Sequence, residues 1–383
     1  MKEYLIFVLV TLWLVGCSKD DTPPRTPIAP IIKEIQFPSE NESLPTSIVK
    51  IMGKGFSPGD ILRLINETNT IVVDVIEVTD HYISFRIPKE AEGVYIVQLE
   101  RDNKTAILFG ELTVPSVVVI EDLEVPGQIF ARGETVVILG EGFENGDKLF
   151  LSNTNYGNVE IEVTPTVSSQ SVSFVLPNEV YGINKLIVKR GQKMSVLGEI
   201  KIAVSPGDKI GGGIVYYVSN DGLHGLITAL ANVGTPLEMW GPAVSQSEAS
   251  GTSQDLGSGR SNTTKLIAAI ARYRSNNPGS TWNNIKTAAE LCTELTVQSG
   301  QFTFTDWFLP SRAELIELFK SKNLLASEGV SIPANNYWTS SEGDGNAAGW
   351  SAYYVNFYEA TQIVSGNSDK EGWKIGIRPI RSF

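Results

Sequence analysis

An octapeptide that occurs twice constrains this chain more than any other feature of it. Gly53-Lys-Gly-Phe-Ser-Pro-Gly-Asp60 returns as Gly140-Glu-Gly-Phe-Glu-Asn-Gly-Asp147, 87 residues further on. Ser84-Phe-Arg-Ile-Pro88 matches Ser173-Phe-Val-Leu-Pro177, and Gly93 matches Gly182, both at an offset of 89, so two residues are inserted between the landmarks. Self-similarity at a fixed spacing marks a duplicated structural unit. Each copy carries short β-branched runs, Ile71 to Val78 and Glu160 to Val167, broken by Gly, Asn and Asp, with no long helical period. Such strands over about 90 residues predict a β-sandwich. The Gly-x-Gly pairs do not make a phosphate loop, because neither a helix pattern nor a lysine follows them as nucleotide binding requires.

The motif Gly-x-Gly-Phe-x-x-Gly-Asp resembles the IPT/TIG immunoglobulin-like family, over residues 28–115 and again over 116–205. The resemblance implies glycines that permit a bulged turn and a Phe that enters the core. Phe56 and Phe143 are therefore expected as core plugs, and Asp60 and Asp147 as turn residues bonding nearby amides. Neither copy carries a catalytic pattern. Tandem modules of this family are commonly spacers, which places recognition at the far end of the chain.

At the N-terminus, Tyr4 to Val15 is apolar but for Thr11, too short for a membrane span of about 20 helical residues. It reads as the h-region of a signal peptide, residues 1–16, although Glu3 offsets Lys2. Leu14-Val-Gly-Cys17 resembles the lipobox of bacterial lipoproteins, which implies lipidation of Cys17. Residues 17–27 then form a Pro-rich, semi-rigid tether. Its Ser18-Lys-Asp-Asp21 looks like the export signal of Bacteroidetes surface lipoproteins; without that likeness the acidic pair is a solvated linker. If Cys17 carries lipid, Cys292 is left without a partner and reads as a small buried hydrophobe.

The 383 residues suffice for two or three domains at roughly 150 residues each. With 42% apolar and 19% charged residues the composition is globular. A net charge of -12 argues against nucleic acid as a partner, since phosphate binding needs a basic face. Two cysteines and two histidines exclude a Cys/His zinc cluster or a disulfide scaffold. Composition shifts at Pro206: from Gly207 onward there are six tryptophans and a net charge of only -3, a combination suited to an uncharged ligand. In this segment the pattern predicts a hairpin of Ile214 to Val218 and Gly225 to Ala229. It predicts helices over Thr264 to Tyr273 and Asn283 to Leu295, and a third starting at Ser311, where Ser-Arg-Ala-Glu314 is a capping box. Late strands are expected over Trp350 to Phe357 and Trp373 to Ile380.

Seven motifs in order resemble the DUF1566 family, related to the C-terminal domain of the Legionella collagen-like adhesin, over residues 206–383. They are Gly211-Gly-Gly-Ile-Val-Tyr-Tyr-Val218, His224-Gly-Leu-Ile227, Gly257-Ser-Gly-Arg-Ser-Asn-Thr263, Ala288-Ala-Glu-Leu-Cys292, Asp306-Trp-Phe-Leu-Pro-Ser311, Tyr337-Trp-Thr-Ser-Ser-Glu342 and Ile377-Arg-Pro-Ile-Arg381. The resemblance implies a C-type-lectin-like α+β fold, distantly akin to formylglycine-generating enzymes, with sugar polymers or glycosaminoglycans bound by some members. The expected architecture is thus multidomain: two all-β immunoglobulin-like sandwiches followed by an α+β C-type-lectin-like domain. Asp306 reads as a loop anchor and Trp307 as packing beneath it, while Tyr337 to Glu342 suits either buried strand residues or a sugar-contacting surface. Arg378 and Arg381 could pair with Asp306 or Glu342, or bind sulfate.

Sugar recognition uses exposed aromatic faces flanked by hydrogen-bonding groups. The candidates are Trp240, Trp282 and Trp350 in loops, with Tyr353, Tyr354 and Tyr358; Trp373 is a weaker choice because it is expected to enter the last strand. No cofactor is expected; calcium is the one alternative, through Glu342, Asp344 and Asn346, which lack the spacing and terminal glutamate of an EF-hand. No catalytic set is apparent: the domain has a single cysteine, Glu314 is accounted for by its cap, and His224 has no nucleophile elbow. The expectation is a non-catalytic lipoprotein, anchored in the outer membrane and exposed on the cell surface, that captures a polysaccharide or host glycan, as part of a nutrient-uptake complex. The alternatives are an adhesin for host matrix protein or glycosaminoglycan and a structural subunit of a surface assembly.

Overall fold

A computed structural model describes residues 29–39, 43–157, 159–234, 237–358 and 364–383. The signal segment 1–16, Cys17 and the tether 17–27 lie outside the described residues. Among the described residues no helix is long and apolar enough to cross a membrane. The described residues divide into two compact units, one up to Val117 and one from Val118 to Phe383.

Among the described residues of the first unit, eight strands form two sheets. They are β1 (Lys33–Gln36), β2 (Ile48–Lys54), β3 (Ile61–Ile65), β4 (Thr70–Val72), β5 (Val75–Val78), β6 (Tyr82–Arg86), β7 (Gly93–Arg101) and β8 (Lys104–Val114). One sheet runs β1-β2-β6-β5 and the other β4-β3-β7-β8. Strict alternation along β2 buries Val49 and Ile51 and leaves Ile48, Lys50 and Met52 outside, as a pleat with one covered face requires. The single run expected over 71–78 is two strands. Val73 N–H still bonds Leu62 of one sheet while Asp74 C=O already accepts from Arg86 of the other, so the chain changes sheet at that corner.

The second unit opens with the repeat: β9 (Glu121–Glu124), β10 (Ile129–Phe130), β11 (Thr135–Glu141), β12 (Lys148–Ser152), β13 (Glu160–Val163), β14 (Thr166–Val167), β15 (Ser171–Val175), β16 (Gly182–Arg190) and β17 (Lys193–Ile202). Its sheets, β9-β11-β15-β14 and β13-β12-β16-β17, reproduce the first pair, with β10 added in parallel at the β17 edge. The run 160–167 is split in the same way as its counterpart. Phe56 and Phe143 are buried, as expected. Asp60 and Asp147 accept the amides of Ser57 and Glu144 at 2.9 Å, but each also takes a two-pronged ion pair from an arginine, Arg101 at 2.6 and 2.7 Å and Arg190 at 2.7 and 2.8 Å. The same guanidinium reaches the carbonyl of Gly55 or Gly142, at φ +102° and +100°, a conformation that favours glycine.

The C-terminal segment adds β18 (Ile214–Val218), β19 (Gly225–Thr228), α1 (Gly259–Asn276), α2 (Ala288–Thr293), β20 (Val297–Ser299), β21 (Phe302–Phe304), α3 (Arg312–Ser327), β22 (Asn336–Glu342), β23 (Ser351–Asn356), β24 (Val364–Asp369) and β25 (Ile380–Ser382). The sheet β22-β23-β24 lies between two apolar clusters. Tyr337 and Val355 pack with Leu315, Leu318 and Phe319 of α3, whereas Trp338 and Ala352 pack with Leu266 of α1 and Ala288, Ala289 and Cys292 of α2. Cys292 is fully buried, and burial pushes its thiol well above the ordinary range. The helix expected over 283–295 begins only at Ala288, because Thr287 and Glu290 close a capping box there. The strand expected over 373–380 is confined to β25; Pro379 has no amide to donate, and Ile375 and Gly376 make only isolated bridges to Glu238 and Tyr337.

One hydrophobic cluster runs from the second sandwich into the C-terminal segment, joining Tyr156 and Tyr181 to Phe302, Phe304, Trp307 and Phe383. Arg381, 1% exposed, lies at this seam. It bonds Asp306 at 2.8 and 3.3 Å, Tyr181 Oη at 3.1 Å, and the carbonyls of Asn155 at 2.9 Å and Gly211 at 3.3 Å. All five guanidinium protons are thereby engaged.

Candidate functional site

Beside the sheet β22-β23-β24, a cleft of about 270 Å³ opens between α1 and the segment 240–250. Its floor is an ion pair between residues that sequence spacing did not connect. Lys370 directly follows β24, is 1% exposed, and its Nζ donates to Glu342 Oε1 at 2.9 Å and to the carbonyls of Ala348 and Gly349 at 3.0 Å. Those three bonds use all the ammonium protons. Glu342 Oε2 accepts the amides of Ser250 and Gly251 at 2.8 and 3.1 Å. Burial pushes the Lys370 ammonium below its ordinary range, against the opposing pull of Glu342. One pair thus ties three loops together, with the ammonium 4.4 Å from the centre of the Trp240 ring.

Above this floor the walls carry Leu266, Ala269 and Ile270 from one face of α1, Ala289 from α2, and Trp240, Pro242 and Val244 opposite, with Tyr273 and Thr287 among them. The exposed side chains of Ser247, Glu248, Arg272 and Asn276 form the rim. Hydrogen bonds from Ser245 hold the Glu248 carboxyl below its usual range, so this rim position is anionic.

The expected aromatic platform is divided by the structure. Trp240 and Trp282 are 6% and 4% exposed, which corrects the expectation of open ring faces at these two positions. Trp240 Nε1 donates to the buried Thr339 O at 2.6 Å and Trp282 Nε1 to Oε1 of the exposed Glu371 at 2.8 Å; each indole is drawn to an acceptor, 99 and 89 residues away respectively, that a loop motif does not disclose. Trp350 and Tyr358 are 52% and 62% exposed. Tyr353 and Tyr354, successive in β23, face opposite sides of the sheet. Tyr353 donates to Asp344 at 2.5 Å and lies under Arg312, while Tyr354 stacks on Trp373 at 6.4 Å and 15°. Trp373 is half-exposed because its strand does not form there, so the position ranked last in sequence offers more ring surface than Trp240 or Trp282.

Of the calcium candidates, Glu342 is committed to Lys370 and two amides, Asp344 to Gln254 and Tyr353, and Asn346 is exposed on the turn. Among the described residues no group of three His, Cys, Asp or Glu is placed to hold a metal. Arg381 pairs with Asp306 as one reading expected; among the described residues Arg378 reaches no carboxylate, bonding Thr228 and Asn232 at 3.1 Å, and burial pushes its guanidinium down to about 10. Sequence reasoning missed Lys370, Arg272 and Asn276 because each is a lone polar residue without a motif.

Residues 30–114 match the IPT/TIG domain. No curated protein matches the chain. Among solved structures, SGBP-B of the Bacteroides ovatus mixed-linkage glucan utilization locus, in complex with a mixed-linkage heptasaccharide, is similar at 9% identity over 90% of this chain and 73% of that one, TM-score 0.23. SGBP-B from a complex xyloglucan utilization locus in Bacteroides uniformis is similar at 18% identity over 57% of this chain and 56% of that one, TM-score 0.18. A multidomain piece of titin is similar at 17% identity over 47% of this chain and 68% of that one, TM-score 0.21. At these identities and scores, function has to be argued from the site itself.

Proposed function

We propose that the chain is a non-catalytic glycan-binding lipoprotein of the bacterial cell surface, with Cys17 as its anchor and a C-type-lectin-like C-terminal domain that captures polysaccharide. The observation that carries the reading is the cleft beside β22-β23-β24: apolar walls, a polar rim and an electrically neutral floor. Such a site favours an uncharged, amphipathic ligand over a phosphate or sulfate. The open rings of Trp350 and Trp373 add apolar faces for sugar C–H groups, and Trp350 C=O accepts the amide of the floor lysine at 3.1 Å. Absence of catalysis is supported by how the carboxylates are used. Glu342 is held by a lysine and two amides, and Glu314 by the amides of Ser311, Gly257 and Gly259.

The test is retention of the full chain on gels containing a panel of neutral polysaccharides, with and without EDTA, alongside Ala269→Phe, which fills the cleft. Retention on one polysaccharide that survives EDTA and is lost on filling is expected. A folded chain retained by no polysaccharide, but by a matrix protein, would replace this reading with the adhesin. Anchoring is tested by Cys17→Ser, which should abolish fatty-acid labelling and release the protein from the membrane fraction.

A further inference from the structure

We infer that the group entering the cleft is the acetamido substituent of an N-acetylated amino sugar, an inference that rests on the glycan reading above. At about 270 Å³ the cleft is near the lower end of ligand sites, roughly 300–1,000 Å³, so it accepts a substituent or one ring and not a length of chain. Leu266, Ala269, Ile270 and Ala289 line it with hydrocarbon, and the Thr287 and Tyr273 hydroxyls that also face it are already bonded to Glu290 and Ser280. A ring edge lined with hydroxyls would lose water there without replacement, at about 1–3 kcal/mol for each unpaired group. The entering group therefore carries a methyl.

Hydrogen-bond capacity at the floor narrows the choice. Lys370 has no proton left, because Glu342, Ala348 and Gly349 take all three. Among the described residues Glu342 Oε1 accepts only from Lys370, which leaves it a lone pair, so this ion pair can accept but not donate. Sulfate and carboxylate find no donor at the floor and would be met only at the rim, where Arg272 stands with the Glu248 carboxylate on the same cleft. An O-acetyl group has no N–H of its own, and a 6-deoxy methyl, though next to a ring hydroxyl, brings no carbonyl for the rim. An acetamido group brings all that the cleft asks for: a methyl for the α1 wall, an N–H for the acceptor floor, and a carbonyl that Arg272 or Asn276 at the rim can meet.

The experiment compares oligosaccharides that differ only at this substituent. Binding of the full chain to chitohexaose, cellohexaose and the fully de-N-acetylated chitosan hexamer is measured by calorimetry, together with competition by N-acetylgalactosamine, galactose and galactosamine. At least one N-acetylated sugar is expected to bind tenfold or more tightly than its hydroxyl and free-amine counterparts, roughly the worth of one apolar group in a fitted pocket. Ala269→Phe should remove that preference, and Arg272→Ala, an exposed change that leaves packing intact, should weaken it. Equal binding of acetylated and unacetylated forms overturns the inference while the glycan reading stands. No binding to any of these sugars or to the polysaccharide panel overturns both.

Discussion

Replacing Arg381 by Met tests whether the second sandwich and the C-terminal segment are held as one unit. The substitution keeps the aliphatic stem but removes a guanidinium that bonds Asp306, Tyr181 Oη and the carbonyls of Asn155 and Gly211. Breaking a buried ion pair by deleting one partner costs about 3–5 kcal/mol. The lower half of that range is expected, because the Asp306 side chain is 36% exposed and can be rehydrated, whereas Tyr181 is buried and cannot. At 2–4 °C per kcal/mol for a large domain, the transition of the second unit should fall by roughly 6–16 °C in scanning calorimetry. The pH dependence carries an independent sign. Burial opposes ionisation of Asp306, but hydrogen bonds from Arg381 and Arg260 outweigh it and hold the carboxyl below its usual range. Stability from this group is therefore present above the ordinary aspartate pKa and is lost as pH falls through the depressed one. Arg381→Met should shrink that acid loss, and the Asp306→Asn double mutant should be less destabilised than the two single effects added. A drop under 2 °C, or strict additivity, would refute the claim that this ion pair closes the seam.

Further outcomes follow from the same contacts. Lys370→Met leaves Glu342 buried with two amides and no counter-ion, and should cost about 3–5 kcal/mol in urea unfolding, much of it recovered by adding Glu342→Leu. Gly259→Ala sets a Cβ 2.1 Å from Glu314 Oε2 and 2.9 Å from Ser311 N, a crowding worth about 1–3 kcal/mol by thermal unfolding. Burial raises the Glu314 carboxyl, so its contribution to stability should decline as pH rises from the ordinary glutamate pKa through the raised one, opposite in sign to Asp306; Glu314→Gln should remove that slope from a pH series of melts. Asp60→Asn and Asp147→Asn should each cost about 1.5–3 kcal/mol, the first in the first unit's transition and the second in the other, since each severs the same arginine clasp.

How much of this was readable in advance depended on the reach of each interaction. Ser311 and Glu314 are three residues apart, so helix geometry alone brings hydroxyl and carboxylate to each other's amides, and the capping box formed as the spacing predicts. The octapeptide likewise prescribes its own turn, and Phe56 and Phe143, just past the ends of β2 and β11, are buried as the motif resemblance implies. What the pattern could not express was the partner of each charged residue. Arg101 and Arg190 meet Asp60 and Asp147 across 41 and 43 residues, and Lys370 meets Glu342 across 28. Arg381 finds Asp306 across 75 residues and Asn155 across 226.

Loop tryptophans show the same limit from the other side. Trp240 and Trp282 read in sequence like Trp350, yet two are folded inward to the Thr339 carbonyl and the Glu371 carboxylate while the third stays open. The amino-acid order alone was sufficient for the duplicated turn, the capped start of α3 and the aromatic-rich, nearly neutral C-terminal segment, because these depend on composition and on contacts within a few residues. The ion-paired cleft floor, the choice of open rings and the fusion of the second sandwich to the C-terminal segment arose only with the packing of distant faces, since burial and pairing belong to the surface a residue meets and not to the residue.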